Sequence, residues 1–172
     1  LIPYDLTQIK ALVFDVDGVL SASTVAMLPD GQPTRTLNIK DGYALRLAAK
    51  RGFEVAIITG ARTENVRLRY AGLGIKHIYL GASVKIEQYA DFLQRTSLTD
   101  AQVLYMGDDI PDYQVMQRVA LPVCPADAAA EVKAVSRYVS PYAGGCGCAR
   151  DVVEQVLKAN HCWMSDQEAF GW

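Results

Sequence analysis

Apolar residues fall along the chain in short runs, separated by stretches in which apolar and polar positions alternate with helical spacing. The runs are strand-sized: residues 11–15, 54–59, 78–80, 102–106, 121–124 and, as an edge, 138–140. Between them the spacing predicts helices from about 41 to 51, over 63–71, 84–95, 112–119 and 126–135, and a last one over 150–159. Asp41 is placed as the N-cap of the first helix and Gly52 at its end. Strands and helices in alternation imply an α/β fold, a doubly wound and mostly parallel sheet with helices on both faces. Residues 24–39 break the rhythm. Two β-prone runs flank the turn sequence Pro29-Asp30-Gly31, which predicts an inserted hairpin. A glycine-rich segment, 143–148, leads into the last helix, and the tail 160–172 has no clear period. Its aromatics Trp163, Phe170 and Trp172 are expected to pack on the body or on a partner subunit. No linker or low-complexity tract divides the chain, so residues 1–172 are expected to form one domain.

The ends of the strands carry the chemistry. Asp15-Val16-Asp17-Gly18 closes the first run, Thr59-Gly60 the second, and Gly107-Asp108-Asp109 a later one. Sites in open α/β sheets form in the crevice beyond the carboxyl ends of the strands. Carboxylates converging there repel one another unless a cation lies between them, and hard oxygen donors suit magnesium.

Composition narrows the classes. A formal net charge of −2, with Lys and Arg scattered, offers no basic face for nucleic acid or for a membrane surface. No apolar run approaches the roughly 20 residues of a membrane span, and a cytoplasmic location is expected. The four cysteines, Cys124, Cys146, Cys148 and Cys162, lack the recurring spacing of a zinc site and are read as structural or incidental thiols.

Taken together, the strand-end residues resemble the haloacid dehalogenase-like superfamily of phosphohydrolases. Asp15-Val16-Asp17-Gly18-Val19 matches its first motif, Thr59 the second, Lys85 the third, and Gly107-Asp108-Asp109-Ile110-Pro111-Asp112 the fourth, in the family's order. The resemblance implies a Rossmann-like fold and roles for these residues. Asp15 would be the nucleophile that forms an aspartyl-phosphate, and Asp17 the acid and then the base. Mg2+ would be held by an Asp15 oxygen, the Asp17 backbone carbonyl and Asp108. Asp109 or Asp112 would orient metal-bound water or Lys85. Thr59 and the Gly60 amide would bind phosphate oxygens, and Lys85 would offset charge. The gaps between motifs have room for a β-hairpin but for no cap domain.

Further segments narrow the resemblance to the 3-deoxy-D-manno-octulosonate 8-phosphate phosphatase subfamily. They are Asn38-Ile39-Lys40-Asp41-Gly42-Tyr43, Gly72-Leu73-Gly74-Ile75 and Gly144-Gly145-Cys146-Gly147-Cys148-Ala149-Arg150-Asp151. Its members look like homotetramers whose hairpins form a central barrel, with the glycine-rich segment able to reach a neighbour's site. The implied function is hydrolysis of the eight-carbon sugar acid phosphate in lipopolysaccharide precursor synthesis. Arg69, Asp41 and Gly42 would meet the sugar acid, Arg69 through paired hydrogen bonds to its carboxylate. Helix capping explains Asp41 equally well. Two departures stand out: Ala61 and not Arg follows Thr59-Gly60, and Cys146 stands where a basic residue is common. A nine-carbon keto-acid 9-phosphate, or another sugar phosphate, is the alternative substrate. A non-catalytic sugar-acid-binding regulator would have lost Asp15, Asp17 or Asp108, and all three are present.

Overall fold

The computed structural model describes residues 1–31 and 33–171. Its strands are β1 (Ala11–Phe14), β2 (Ala26–Met27), β3 (Pro33–Thr34), β4 (Glu54–Ile58), β5 (His77–Tyr79), β6 (Val103–Met106), β7 (Leu121–Cys124) and β8 (Tyr138–Val139). Its helices are α1 (Ile39–Lys50), α2 (Glu64–Ala71), α3 (Lys85–Thr96), α4 (Tyr113–Arg118), α5 (Ala130–Val135) and α6 (Cys148–Ala159). The fifth helix starts four residues later than its spacing suggested, because residues 125–128 form a turn in which Ala128 N–H bonds to the Pro125 carbonyl.

Six strands form one sheet in the order β5-β4-β1-β6-β7-β8, every neighbouring pair parallel. The chain therefore starts in the middle, winds outward through β4 and β5, returns to β6 beside β1, and winds outward the other way. The direction reverses between β1 and β6, and the crevice at such a switch point is where ligands enter doubly wound sheets.

Side-chain alternation along the strands sorts the core into two layers. Leu12, Phe14, Val55, Ile57, Leu104 and Met106 face one side, where α1, α2 and α6 cover them. Ala11, Val13, Ala56, Ile58, Val103 and Tyr105 face the other, beneath α3, α4 and α5. Apolar residues at i, i+3 and i+4 explain why α3 docks as a helix: Tyr89, Phe92 and Leu93 all point inward. Truncating the fully buried Phe92 to alanine would cost about 3–5 kcal/mol.

The hairpin β2–β3 is antiparallel, with Ala26 opposite Thr34 and Met27 opposite Pro33. It stands apart from the main sheet and leaves Val25, Met27, Leu28 and Leu37 exposed. One capping expectation is corrected. Asn38, not Asp41, caps α1: its backbone is extended, and its side chain accepts from the amides of Lys40 and Asp41. The tail aromatics divide. Trp163 lies edge-on to Tyr43 at 6.0 Å and beneath the Arg150 guanidinium at 4.4 Å, whereas Phe170 is exposed and Trp172 lies outside the described residues. All four cysteines are free thiols. Among the described residues, no helix is long and apolar enough to cross a membrane.

Candidate active site

Asp15 follows the last residue of β1, Thr59 the last of β4, and Gly107-Asp108 the last of β6. Because these strands are adjacent and parallel, their ends converge on one cleft of about 500 Å³. Asp15, Asp17, Thr59, Gly60, Lys85, Asp108, Asp109 and Asp112 all line it. Lys85 arrives from the first residue of α3, which packs against the same side of the sheet.

The acidic cluster is tightly set. One ligand oxygen from each of Asp15, Asp108 and Asp112 lies within 4.8 Å of the others. Lys85 Nζ stands 2.8 Å from Asp15 Oδ2 and 2.7 Å from Asp112 Oδ1. The other Asp15 oxygen accepts from Val16 N–H at 2.6 Å. Asp112 is saturated with protein donors: Lys85 and the Tyr105 hydroxyl at Oδ1, and the Asp108 and Asp109 amides at Oδ2. Asp109 and Asp112 cap the short turn between them reciprocally, which explains their spacing. Asp112 thus orients Lys85, while Asp15, with one partner on each oxygen, and Asp108 keep acceptor positions for an ion.

Electrostatics point the same way. Burial, then repulsion from Asp112, raises Asp15 to about 7 even though Lys85 opposes the shift. Burial, then Asp15 and Asp112, raises Asp108 to about 7. Burial works against the Lys85 ammonium, but Asp15 and Asp112 outweigh it and hold its pKa above the ordinary value. A cation among the carboxylates would relieve this repulsion, so the donor set fits a hard divalent ion. Gly18 makes the arrangement possible. Its φ is +85°, and a Cβ there would lie 2.0 Å from Asp108 Oδ2, so Asp108 reaches the Asp17–Gly18 peptide only because the side chain is absent.

Thr59 is 1% exposed, and its hydroxyl oxygen accepts from Ala61 N–H at 3.1 Å. That leaves the hydroxyl hydrogen free to donate into the cleft.

Three residues expected to meet the sugar acid lie elsewhere. Asp41 is 1% exposed and accepts from Arg150 N–H at 2.7 Å, holding the first turn of α6. Burial raises it to about 6. Gly42 is also buried, because the Arg69 guanidinium packs on it: a Cβ on Gly42 would lie 2.5 Å from Arg69 Nη2. Arg69 lines a second cavity of about 450 Å³ between the hairpin and α2. The glycine-rich segment docks on its own chain, with Gly145 N–H on the Val19 carbonyl at 2.8 Å and Cys148 Sγ on the same oxygen at 3.2 Å.

Sequence reasoning missed Tyr105, whose hydroxyl donates to Asp112 from mid-strand, and Ser23 and Ser83 on the cleft wall. It also missed Arg35, whose guanidinium reaches Asp17 from the hairpin. The single signal for Arg35 was a basic residue inside a β-prone run.

Comparison with known proteins supplies the remaining observation. No family model matches the chain. The 3-deoxy-D-manno-octulosonate 8-phosphate phosphatase KdsC of Escherichia coli is 40% identical over 152 residues, 88% of this chain and 81% of that protein. The solved structure of the Moraxella catarrhalis 3-deoxy-D-manno-octulosonate 8-phosphate phosphatase holds magnesium, phosphate and KDO. It matches with a TM-score of 0.87 at 30% identity, covering 91% of each chain. The cobalt-bound form of a deoxy-D-mannose-octulosonate 8-phosphate phosphatase from Haemophilus influenzae matches with a TM-score of 0.89 at 27% identity, over 97% of this chain and 99% of that one.

Proposed function

The chain belongs to the 3-deoxy-D-manno-octulosonate 8-phosphate phosphatases of the haloacid dehalogenase-like superfamily, and on that premise we propose that it is a Mg2+-dependent phosphomonoesterase acting on that sugar acid phosphate. The observation that carries the reading is the Asp15–Lys85–Asp112 arrangement at the switch point, with Asp108 beside it.

Asp15 is the nucleophile. One of its carboxylate oxygens attacks phosphorus, an aspartyl-phosphate forms, and the bond from phosphorus to the sugar oxygen breaks. Asp17 hands a proton to that departing oxygen. It then takes one from the water that cleaves the aspartyl-phosphate, releasing phosphate and restoring Asp15. The Thr59 hydroxyl and Gly60 amide hold phosphate oxygens, and Lys85 neutralises charge on Asp15 and the phosphoryl group. Asp112 holds Lys85, and Asp109 holds the turn that presents Asp108. Asp15, Asp108 and the Asp17 carbonyl would hold Mg2+, which supplies positive charge against the phosphoryl oxygens. Arg69, fixed against Gly42, faces the second cavity and is assigned to the sugar acid's carboxylate. Asp41 supports it at a distance by pinning α6.

The free sugar acid would feed lipopolysaccharide precursor synthesis in the cytoplasm, where four free thiols are the expected state. We also assign a homotetramer, since the apolar hairpin residues need a cover.

The test is phosphate release from the eight-carbon 8-phosphate and a nine-carbon keto-acid 9-phosphate, with and without Mg2+, by the parent and Asp15→Asn. Mg2+-dependent release from the eight-carbon ester, lost in Asp15→Asn, supports the reading. Equal rates on both esters would remove the substrate assignment, and no release by folded, Mg2+-loaded protein would remove the activity.

A further inference from the structure

Arg35 stands apart from the exposed tip of its hairpin. Residues 23–31 are exposed throughout, yet the Arg35 side chain is only 11% exposed because it turns back into the fold. Its guanidinium meets Asp17 side-on: Nε donates to Oδ1 at 2.6 Å and Nη2 to Oδ2 at 2.8 Å. The remaining nitrogen, Nη1, donates to Thr63 Oγ1 at 2.9 Å. Thr63 is the N-cap residue of α2, and its side chain makes no bond to that helix. A threonine at this position normally caps its own helix, a contact worth about 1 kcal/mol. Here the hydroxyl serves Arg35 instead.

These contacts orient a carboxylate. A bidentate arginine fixes the plane of its partner as well as its distance, which a single ammonium does not. Arg35 uses one acceptor position on each Asp17 oxygen, and Ser21 Oγ stands a further 3.1 Å from Oδ1. An ionised carboxylate has about four acceptor positions. Oδ2 is therefore the less engaged oxygen, and the plane set by Arg35 decides where its open position points.

We infer that Arg35 is a positioning residue for proton transfer: it aims Asp17 Oδ2 at the oxygen of the departing sugar and ties that aim to the seating of the hairpin against α2. The inference rests on the phosphomonoesterase reading above, and it concerns the step at which the ester bond breaks. Arg35 touches neither phosphate nor metal in this scheme. Its effect reaches the reaction through Asp17, so it should scale with how much the leaving group needs a proton.

The experiment compares the parent, Arg35→Ala and Arg35→Lys, all full-length and Mg2+-loaded, on two esters. One is the sugar acid phosphate, whose alkoxide must be protonated. The other is 4-nitrophenyl phosphate, whose phenolate departs unaided. Arg35→Ala is expected to lower kcat/KM, which reads ester cleavage and not the later hydrolysis of the aspartyl-phosphate common to both substrates, about 100-fold on the sugar ester and less than about fivefold on the nitrophenyl ester. KM should stay within about threefold. Arg35→Lys should recover part of the loss, one ammonium replacing a two-point clamp. Asp17→Asn combined with Arg35→Ala should be no slower than Asp17→Asn alone.

Equal losses of kcat/KM on the two esters would overturn the inference, as would a loss confined to KM or losses that multiply with Asp17→Asn. If Arg35→Ala melts below the assay temperature, Arg35→Lys on the two esters decides. A parent inactive on both esters overturns the functional reading itself. An active parent with losses independent of the leaving group overturns the role of Arg35 alone.

Discussion

The Lys85 ammonium stands 2.8 Å from a carboxylate oxygen of Asp15, and the two side chains are 4% and 9% exposed. An ion pair this dry has two consequences. It keeps a cation against the carboxylate proposed as the nucleophile, and it makes either partner expensive to remove alone.

Lys85→Met should therefore lower kcat by at least about 100-fold, since it deletes the fixed charge proposed to face the phosphoryl group. It should also lower the melting temperature of the metal-free protein, because Asp15 and Asp112 both lose their cation. Steady-state kinetics and thermal melts check both effects. A kcat within fivefold of the parent would place Lys85 outside the chemistry.

Stability of the metal-free protein should fall as pH rises. Asp15 and Asp108 are raised from 3.8 to about 7 and Asp41 to about 6, so the folded chain retains protons that the unfolded chain has lost. Their contribution is fully present below the unfolded value and disappears as pH climbs through 6 to 7. Asp91 and Glu154 are shifted down and act in the opposite sense, but at lower pH, about 4 and below. Melts in chelator between about pH 4.5 and 7.5 should show a falling Tm. Added Mg2+ should raise Tm more at the upper end, where the cluster is charged. A Tm that rises across that window without metal would contradict the cluster's electrostatics.

Gly18→Ala should abolish Mg2+ activation. The new Cβ faces a φ of +85° and an Asp108 oxygen 2.0 Å away, so either the loop or Asp108 must move. Titration of activity with Mg2+ reads the change, and an unaltered activation curve would show that Asp108 does not need this approach.

Gly42→Ala should displace the Arg69 guanidinium, which lies 2.5 Å from the added carbon. On the proposed assignment of Arg69 to the substrate carboxylate, both Gly42→Ala and Arg69→Gln should raise KM for the sugar acid phosphate about tenfold or more. Neither should change turnover of 4-nitrophenyl phosphate, which has no carboxylate. Equal effects on both esters would return Arg69 to a structural role.

The main elements of the fold, and the strand-end residues that line one cleft, were legible in the chain before any coordinates. The apolar runs at β1, β4 and β6 are continuous because both faces of those strands are covered, and burial on two sides admits no polar alternation. Asp15, Thr59 and Asp108 were legible for a related reason: each stands where such a run stops, and a parallel sheet presents all its strand ends on one edge. What the sequence could not contain was the set of contacts between segments far apart in the chain. Asp41 looked like a cap because local chemistry makes aspartate a good one. Only the packing of α1 beside α6 shows Asn38 capping α1 while Asp41 serves the Arg150 amide, 109 residues away. Likewise Arg35 meets Asp17, and Tyr105 meets Asp112, through the placement of the hairpin and the register of β6. Periodicity and strand-end chemistry are local and survive in one dimension. The partners of a side chain depend on which surfaces come together, and only the folded chain decides that.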